Sequence, residues 1–277
     1  MDLSRAQVAR YGRQLILPEV GVAGQQRLRR ASALVVGAGG LGSPVALYLA
    51  AAGVGRLGIV DHETVAVSNL HRQILHATES VGRPKALSAR ERLVALNPEV
   101  AIVAHQESLT ASNALELVRG YDLVLDGSDN FPTRYLVNDA CVLTGRWLVH
   151  GGVVRLGGQV LTIRPGRSAC VRCVFPEPPT PGAIPSCQEA GVLGTAAGII
   201  GALMAHEALK VLAGFGEPLT DRLFVFEGCG SRAREVPVRR DLACAVCGEA
   251  PTIRHVREEP AACLPAEASA QVGAAVV

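Results

Sequence analysis

A glycine-rich loop most constrains what this chain can fold into. The loop, Gly37-Ala-Gly-Gly-Leu-Gly42, follows an apolar strand predicted over 33–36 and precedes an Ala- and Leu-rich helix predicted over 43–52. Gly53 ends that helix, and a second apolar strand is predicted over 56–61. Strand, loop, helix and strand in this order form a βαβ unit. The chain is therefore expected to build a sheet with parallel strands.

Alternating helical and apolar segments continue along most of the chain. Helices are predicted over 4–13, 85–96, 111–119, 131–144 and 191–212, and strands over 100–105, 122–126, 147–149, 159–164 and 222–226. The proline-rich segment 176–185 is predicted to be an exposed loop. We predict an α/β fold, a Rossmann-like twisted and mostly parallel sheet with antiparallel later strands and helices on both faces. It occupies residues 1–248, and 249–277 form a loosely ordered tail.

Composition narrows the class of protein. The 277 residues are 49% hydrophobic and carry a formal net charge of +2, which argues against a dedicated nucleic-acid surface. The N-terminus lacks the apolar core of a signal peptide, and the longest uncharged apolar run, 190–205, is shorter than the ~18 residues of a membrane span. We expect a cytoplasmic protein without nucleic-acid or membrane partners. In that compartment, Cys-x-x-Cys pairs indicate metal binding or redox chemistry.

The loop has the glycine spacing of a nucleotide-binding site. Gly37, Gly39 and Gly42 let the backbone approach phosphate oxygens, and the following helix N-terminus favours negative charge. Asp61, 19 residues after Gly42, ends the second strand, where a carboxylate can accept hydrogen bonds from ribose hydroxyls. A tight strand-to-helix turn without a ligand is the alternative. The loop alone does not choose between NAD and ATP.

Polar and cationic residues near the loop favour a triphosphate. The stretch Ser68-Asn69-Leu70-His71-Arg72-Gln73 and Lys85 supply most of them, with Arg13-Gln14 as a further candidate. A triphosphate needs Arg, Lys and usually Mg²⁺, and a carboxylate such as Asp129, next to Asn130 after the fourth strand, suits Mg²⁺. Alternatively, Asp129 or Asn130 caps a helix and the arginines lie on a solvated face.

Two Cys-x-x-Cys pairs suggest a metal centre. Cys170, Cys173, Cys244 and Cys247 could supply the four thiolates of a closed, structural zinc site, although the gap between the pairs is longer than in a zinc ribbon. Two independent redox motifs or buried free thiols are the alternatives. Cys187 is either a nucleophile in a polar loop or an incidental thiol, and Cys141 is expected in the core.

Taken together, these motifs resemble the MoeB/ThiF family of ubiquitin-activating-like adenylyltransferases. The similarity runs from about Arg10 to Gly248. It rests on these stretches: Arg10-Tyr-Gly-Arg-Gln14, Gly37–Gly42, Val60-Asp61, Ser68-Asn-Leu-His-Arg-Gln73, Gly82-Arg-Pro-Lys85, Asp126-Gly-Ser-Asp-Asn130, both Cys pairs and Cys187-Gln-Glu-Ala-Gly191. Glu63 departs from the pattern, because relatives usually carry Asp there.

The resemblance implies a function and a set of roles. The family activates the C-terminal Gly-Gly of a small ubiquitin-like sulfur carrier with ATP. Gly40 and the loop would hold the nucleotide and Asp61 the ribose. Asn69, Arg72 and Lys85 would contact the phosphates, Asp129 would bind Mg²⁺, and Asn130 would lie beside it at the nucleotide. Arg13 would reach the partner subunit's site in a homodimer. The four paired cysteines would bind zinc, and Cys187 would be the family's active-site cysteine.

Several alternatives remain at this stage. The family's fused members carry a rhodanese domain, which is not expected after Gly248, so a separate protein would donate sulfur. Molybdopterin, thiamin, thiolated tRNA and a specialised metabolite all fit as products. The competing functions are an NAD-dependent oxidoreductase, a non-catalytic scaffold that binds a ubiquitin-like partner, and an enzyme that adenylates a peptide or other carboxylate.

Overall fold

A single mixed sheet of eight strands organises the protein. The structure, a computed structural model, describes residues 3–177 and 190–258. The sheet order is β3-β2-β1-β4-β5-β6-β7-β8. The first five strands in this order pair in parallel and the last three pairings are antiparallel. The strands are β1 Ser32–Val36, β2 Arg56–Val60, β3 Ala101–His105, β4 Leu123–Asp126, β5 Trp147–Val154, β6 Gly157–Ile163, β7 Arg222–Glu227 and β8 Arg232–Pro237. The predicted fold class is confirmed.

Helices cover both faces of the sheet. They are α1 Arg5–Leu15, α2 Gly21–Arg30, α3 Gly42–Ala52, α4 Lys85–Leu96, α5 Ala114–Arg119, α6 Phe131–Thr144, α7 Val171–Val174 and α8 Gly194–Ala213. Alternate strand residues enter two separate cores. Val35 and Ile59 pack with α3, α4 and α8, whereas Leu34 and Val124 pack with α5 and α6. This alternation is the period-two geometry of a strand buried on both sides.

Local sequence rules explain the helices that were predicted well. Ser4 and Gln7 form a capping box before α1. Gly53, at φ 82°, ends α3 in the left-handed region. Helices α4 and α6 have the predicted bounds, and Pro132 lies in the first turn of α6.

Other elements were not predicted from sequence. Helix α2 begins at a glycine and its N-cap residue, Val20, makes no side-chain cap. Strand β8 is exposed along its whole length and is held by backbone pairing with β7 rather than by an apolar pattern. Strand β5 extends past its predicted end through Gly151, where a Cβ would lie 2.2 Å from Sδ of Met204. The glycine therefore lets α8 pack directly on the strand.

Helix α8 is the one helix in 3–177 and 190–258 that is long and apolar enough to cross a membrane by length and composition. It packs on β5 and β6 and carries the fully buried Glu207, whose carboxylate accepts hydrogen bonds from Thr162 and Leu219. Of its most apolar 18-residue window, 56% is buried in the protein. These contacts are those of a core helix.

The segment after Gly248 remains against the domain as far as it is described. The backbone N–H of Ile253 donates to the carbonyl of Ala245 at 2.8 Å, and the Ile253 side chain is buried. Residues 259–277 lie outside the described residues, as do 178–185 of the predicted proline-rich loop. The division of the chain at residue 248 stays a prediction.

Candidate nucleotide site and four-cysteine cluster

A cleft of about 690 Å³ opens at the carboxyl ends of the central strands. Val36, Val60 and Asp126, the last residues of β1, β2 and β4, lie side by side in register. Strand β1 lies between β2 and β4, so the chain connections run in opposite directions from it. Open α/β sheets bind ligands at such a topological switch point. Nine of the residues predicted from sequence line this cleft: Gly37, Gly39, Gly40, Asp61, Asn69, Arg72, Lys85, Asp129 and Asn130.

The glycines of the loop serve two different purposes. Gly37 has a φ of +89°, and a Cβ on Gly42 would lie 1.8 Å from the carbonyl oxygen of Gly37, so both are required by the tight turn itself. Gly39 and Gly40 face the cleft, where the nearest atoms to an added Cβ lie at 3.7 Å and 3.4 Å. Their missing side chains leave room for a ligand against the backbone at the start of α3, as phosphate binding requires.

Asp61 fixes the end of β2 to the loop. One carboxylate oxygen accepts the N–H of Ala38 and the other accepts the N–H of Glu63, each at 2.8 Å. Each oxygen has a second lone pair, so the oriented carboxylate retains the capacity to accept hydroxyl groups at the cleft. This geometry is compatible with the predicted ribose contact.

Lys85, the first residue of α4, places its ammonium group in a buried position beside the cleft. Its side chain is 3% exposed, and Nζ lies 2.5 Å from a carboxylate oxygen of Glu63, which is itself 56% exposed. The hydrogen bond from Lys85 lowers the pKa of the Glu63 carboxyl, with smaller contributions from the charges of Lys85, His62 and Arg72, against the effect of burial. Glu63 therefore neutralises Lys85 in the absence of another anion. Sequence analysis identified Glu63 only as a departure from the family's usual Asp and did not predict its ion pair with Lys85.

This pair leads to a prediction about Glu63. Replacing it with glutamine removes a negative charge beside the cationic lining of the cleft and frees Lys85 for an incoming phosphate. We expect Glu63→Gln to lower the KM for ATP by up to about fivefold, because a half-exposed ion pair contributes at most about 1 kcal/mol. ATP-dependent steady-state kinetics would measure this change.

Glu91→Gln is the matched control for Glu63→Gln. Glu91 also pairs with a cation, Arg83, but both are exposed and neither lines the cleft. We expect its KM for ATP to equal that of the unmodified protein. A higher KM for ATP in Glu63→Gln would contradict the competition between Glu63 and phosphate.

Arg72 and Asn69 belong to one turn beside the loop. Asn69 accepts the N–H of Ala66 at 3.0 Å and so caps the short 3₁₀ helix Val67–Asn69. Arg72 donates to the Ser68 carbonyl at 3.0 Å, and its aliphatic stem lies over Gly40. Ser68, Leu70 and His71 share this segment but do not line the cleft. Their predicted contacts with the nucleotide therefore stay predictions.

Asp129 and Asn130 follow β4 at the opposite wall. Asn130 accepts the N–H of Thr133 at 2.9 Å and is the N-cap of α6, so the capping alternative applies to this residue. Asp129 is exposed and its carboxylate accepts no hydrogen bond from residues 3–177 and 190–258. Its oxygens are therefore available to a hard cation such as Mg²⁺, the ligand class that this ion prefers.

A buried pair supports this wall, and the sequence did not single it out. Asp126 is fully buried and accepts from the Ser128 hydroxyl at 2.6 Å, while its other oxygen lies 2.8 Å from Nδ1 of His150. Burial raises the pKa of Asp126, but the hydrogen bonds and charges of its neighbours, His150 first, outweigh burial and lower it. His150 therefore helps to hold the turn that carries Asp129.

Arg13 lies away from the cleft of its own chain. The neighbouring Tyr11 packs against Gly53, and Gln14 donates to the carbonyl of Ala52, both at the C-terminal end of α3. The cleft is at the other end of this helix of 11 residues, about 16 Å away. The position fits a role in the site of a second subunit, which stays a prediction.

The two Cys-x-x-Cys pairs converge on one point. The Sγ atoms of Cys170, Cys173, Cys244 and Cys247 all lie within 4.8 Å of one another. Contacts measure 3.8 Å for Cys170–Cys173, 3.7 Å for Cys170–Cys244 and 3.3 Å for Cys173–Cys247. A tetrahedral zinc ion with Zn–S bonds of about 2.3 Å separates its sulfurs by about 3.8 Å, so these four side chains fit that ion.

Polar groups outside the four cysteines also lie next to the sulfur atoms. The Asp241 N–H points to Cys173 at 3.3 Å, and the Asn138 amide lies 3.9 Å from Cys170. Hydrogen bonding among the four thiols, first with Cys170, lowers the pKa of Cys173 to about 7 and lowers that of Cys244, while the pKa values of Cys170 and Cys247 are raised, so the four groups share their protons. Four sulfurs around one centre disfavour two independent redox motifs. Cys141 is buried as expected, and Cys187 lies outside the described residues.

Solved structures define the class of fold. MccB from E. coli, in a structure with selenomethionine MccA, matches with a TM-score of 0.77 at 20% identity over 88% of this chain and 75% of MccB. A PaaA structure matches with a TM-score of 0.74 at 22% identity over 86% of this chain and 76% of PaaA. At such identities the similarity shows the fold alone.

Sequence comparison identifies the family. The ThiF family profile matches residues 11–246, and this chain belongs to the ThiF family. The family resemblance inferred from the motifs is confirmed. A "sulfur carrier protein adenylyltransferase" from Thermus thermophilus is 54% identical over 268 residues, which cover 95% of this chain and 99% of the relative. The "adenylyltransferase and sulfurtransferase MOCS3" of Mus musculus is 50% identical over 94% of this chain, which spans 57% of that relative.

Proposed function

We propose that this protein is an ATP-dependent adenylyltransferase that activates the C-terminal Gly-Gly carboxylate of a ubiquitin-like sulfur-carrier protein. The observation that carries the proposal is one cleft that combines an open glycine loop, the buried Lys85, Arg72 and an exposed Asp129 that accepts no hydrogen bond from the described part of the chain. The name and 54% identity of the Thermus thermophilus relative support the choice of substrate. An NAD-dependent dehydrogenase would not need this concentration of cations beside an exposed carboxylate.

The proposed reaction is an in-line transfer at phosphorus. An oxygen of the carrier carboxylate attacks the α-phosphorus of ATP, the bond to the bridging oxygen breaks, and pyrophosphate leaves with the electron pair. The product is an acyl-adenylate, from which a sulfur nucleophile then displaces AMP to give a thiocarboxylate. Lys85 and Arg72 neutralise charge on the phosphates, the loop N–H groups orient them, and Asp61 holds the ribose. Such catalysis rests on positioning and electrostatic stabilisation.

Asp129 would hold Mg²⁺, which supplies charge neutralisation on the phosphates when bound. We expect Asp129→Asn to raise the Mg²⁺ concentration for half-maximal rate by about tenfold or more, the effect of losing roughly 1.4 kcal/mol of binding free energy. A Mg²⁺ titration of pyrophosphate exchange measures this shift. Asp122→Asn is the control, since Asp122 is also exposed but lies just before β4, at the end of the strand away from the cleft. An unchanged Mg²⁺ dependence in Asp129→Asn would contradict the assignment.

The remaining parts of the proposal concern assembly. The four-cysteine cluster binds structural zinc, and Cys187 is the candidate for a covalent step with the carrier. Arg13 serves the site of a second subunit in a homodimer. The enzyme works in the cytoplasm, and a separate protein delivers the sulfur atom.

ATP–pyrophosphate exchange tests the proposed function. The unmodified protein should exchange labelled pyrophosphate into ATP only when a small ubiquitin-fold carrier ending in Gly-Gly is present. The same carrier without its last glycine is the control and should support no exchange. Exchange that depends on a short free peptide rather than on the carrier would favour the peptide-adenylating alternative, and binding of NAD(H) without exchange would favour the oxidoreductase.

A further inference from the structure

His76 is a buried imidazole whose two ring nitrogens contact two different segments of the cleft wall. The residue is 7% exposed and does not itself line the cleft. Its Nε2 lies 3.0 Å from the carbonyl oxygen of Ala38 in the glycine loop, and its Nδ1 lies 2.9 Å from Oγ of Ser88 in α4. Its backbone N–H donates to the carbonyl of Gln73 at 3.0 Å, in the turn that carries Arg72. His76 therefore joins the three segments that carry the candidate phosphate ligands.

The partners of the ring determine which nitrogen carries the proton. A carbonyl oxygen only accepts, so Nε2 is the donor to Ala38, and Nδ1 of the neutral ring accepts from the Ser88 hydroxyl. Burial has the largest effect on the pKa of His76 and lowers it; the hydrogen bond to Ala38 opposes burial, but the net direction is downward. The imidazole is therefore neutral at pH 7 and holds the Ala38 carbonyl through a fixed N–H.

The bond to Ala38 also fixes the direction of the next N–H group. The carbonyl of Ala38 and the N–H of Gly39 belong to one trans peptide unit, so they point in opposite directions. His76 holds the carbonyl on the protein side. Gly39 lines the cleft, and its N–H donates to no acceptor within residues 3–177 and 190–258. This N–H is therefore free to donate to a phosphate oxygen, the kind of ligand that N–H groups at the start of a helix bind.

Glycine at position 39 makes this orientation easy to lose. A peptide unit that precedes a glycine can turn over, because glycine adopts positive and negative φ about equally well. After such a turn the Ala38 carbonyl would face the phosphates, and two groups that only accept cannot bond each other. The N–H of Ala38, which Asp61 accepts at 2.8 Å, belongs to the preceding peptide unit and does not prevent the turn. The bond from His76 does prevent it.

We infer that His76 is a positioning residue for the nucleotide: its Nε2–H holds the Ala38 carbonyl inside the protein and thereby aims the Gly39 N–H at a phosphate oxygen of ATP. This inference rests on the proposed function, which supplies the nucleotide, and deepens it. His76 touches no substrate atom and acts only through the loop. Its side chain should therefore affect binding of the phosphates and not binding of the nucleoside.

Binding of Mg²⁺-ATP and of adenosine, each measured without carrier, tests this role. Adenosine has the base and the ribose but no phosphate, so it reports general damage to the cleft. In His76→Asn the shorter amide still reaches Ser88 but not Ala38. We expect this variant to raise the Kd for ATP by about tenfold and to leave the Kd for adenosine within about twofold, because one buried carbonyl loses its donor and one N–H is no longer directed.

His76→Gln is the matched variant that should restore ATP binding. Its amide nitrogen is as many bonds from Cβ as Nε2 of histidine, so it can donate to Ala38. We expect its Kd for ATP to lie within about threefold of that of the unmodified protein. His76→Leu removes both ring contacts and should show the same selective loss of ATP binding as His76→Asn.

Thr162→Val is the control for loss of a buried hydrogen bond. Thr162 is fully buried and donates to Glu207 at 2.8 Å, away from the cleft. This variant should unfold at a lower temperature and keep both Kd values. Equal increases in the two Kd values for His76→Asn, or for His76→Leu if His76→Asn does not fold, would overturn the inference, as would a Kd for ATP that His76→Gln does not restore. An unmodified protein that binds ATP but shows no carrier-dependent exchange would instead refute the proposed function.

Discussion

Replacing Lys85 with alanine should slow carrier-dependent ATP–pyrophosphate exchange by about 10²–10³-fold, the effect of losing one preorganised electrostatic stabiliser. Lys85 is 3% exposed, so its charge acts in a poorly screened environment, and its backbone N–H to the Glu63 carbonyl, at 2.9 Å, fixes the start of α4 at the cleft. Both kcat and kcat/KM should fall, because charge builds on the leaving pyrophosphate in the transition state.

Arg90→Ala is the control for Lys85→Ala. Arg90 is a cation on the same helix, but it is exposed and does not line the cleft. We expect its exchange rate to remain within about twofold of the unmodified enzyme, since exposed surface substitutions have small effects. Lys85→Ala with a near-normal exchange rate would refute the assignment of Lys85 to the phosphates.

Replacing Cys170 with serine should release zinc and lower the thermal midpoint of unfolding by about 10 °C or more. For a domain of this size each kcal/mol shifts the midpoint by about 2–4 °C, and a structural zinc site contributes several kcal/mol. Cys170 precedes α7, which is joined to α6 by the Asn138 side-chain oxygen, acceptor of the Val171 N–H, and by the buried Asp139–Arg172 ion pair. Loss of the metal therefore loosens the contact between α6 and the C-terminal Cys pair.

Cys229→Ser is the matched control for Cys170→Ser. Cys229 is an exposed cysteine in the β7–β8 turn and stands apart from the cluster. Its zinc content and unfolding temperature should equal those of the unmodified protein. Metal analysis that finds no zinc in the purified unmodified protein, at unchanged stability, would contradict the structural site.

Patterns among neighbouring residues in the sequence were sufficient to predict most of the helices and strands. The capping box at Ser4, the left-handed Gly53 and Pro132 act within one or two turns, so their helices could be predicted from neighbouring residues alone. Strand β8 could not, because it is exposed and depends on backbone pairing with β7. The extension of β5 through Gly151 likewise depends on Met204 of a distant helix.

In the candidate site, too, some features could be predicted from sequence and others depend on residues that are distant in the chain. Its glycines, polar residues and charged residues could be found because their types and order are those of a family, and the structure brings nine of them to one cleft. The supporting contacts could not. The contacts of Glu63 with Lys85 and of His150 with Asp126 are properties of three-dimensional neighbours, and no spacing in the sequence encodes them.

A crystal structure with ATP, Mg²⁺ and the carrier's Gly-Gly end would test the central claim most directly. We predict that the triphosphate lies against the N–H groups after Gly39, with Lys85 and Arg72 on its phosphates, Mg²⁺ at Asp129 and the carrier carboxylate facing the α-phosphorus. Phosphates that point away from Lys85 and Arg72, or a carrier end outside this cleft, would contradict the account.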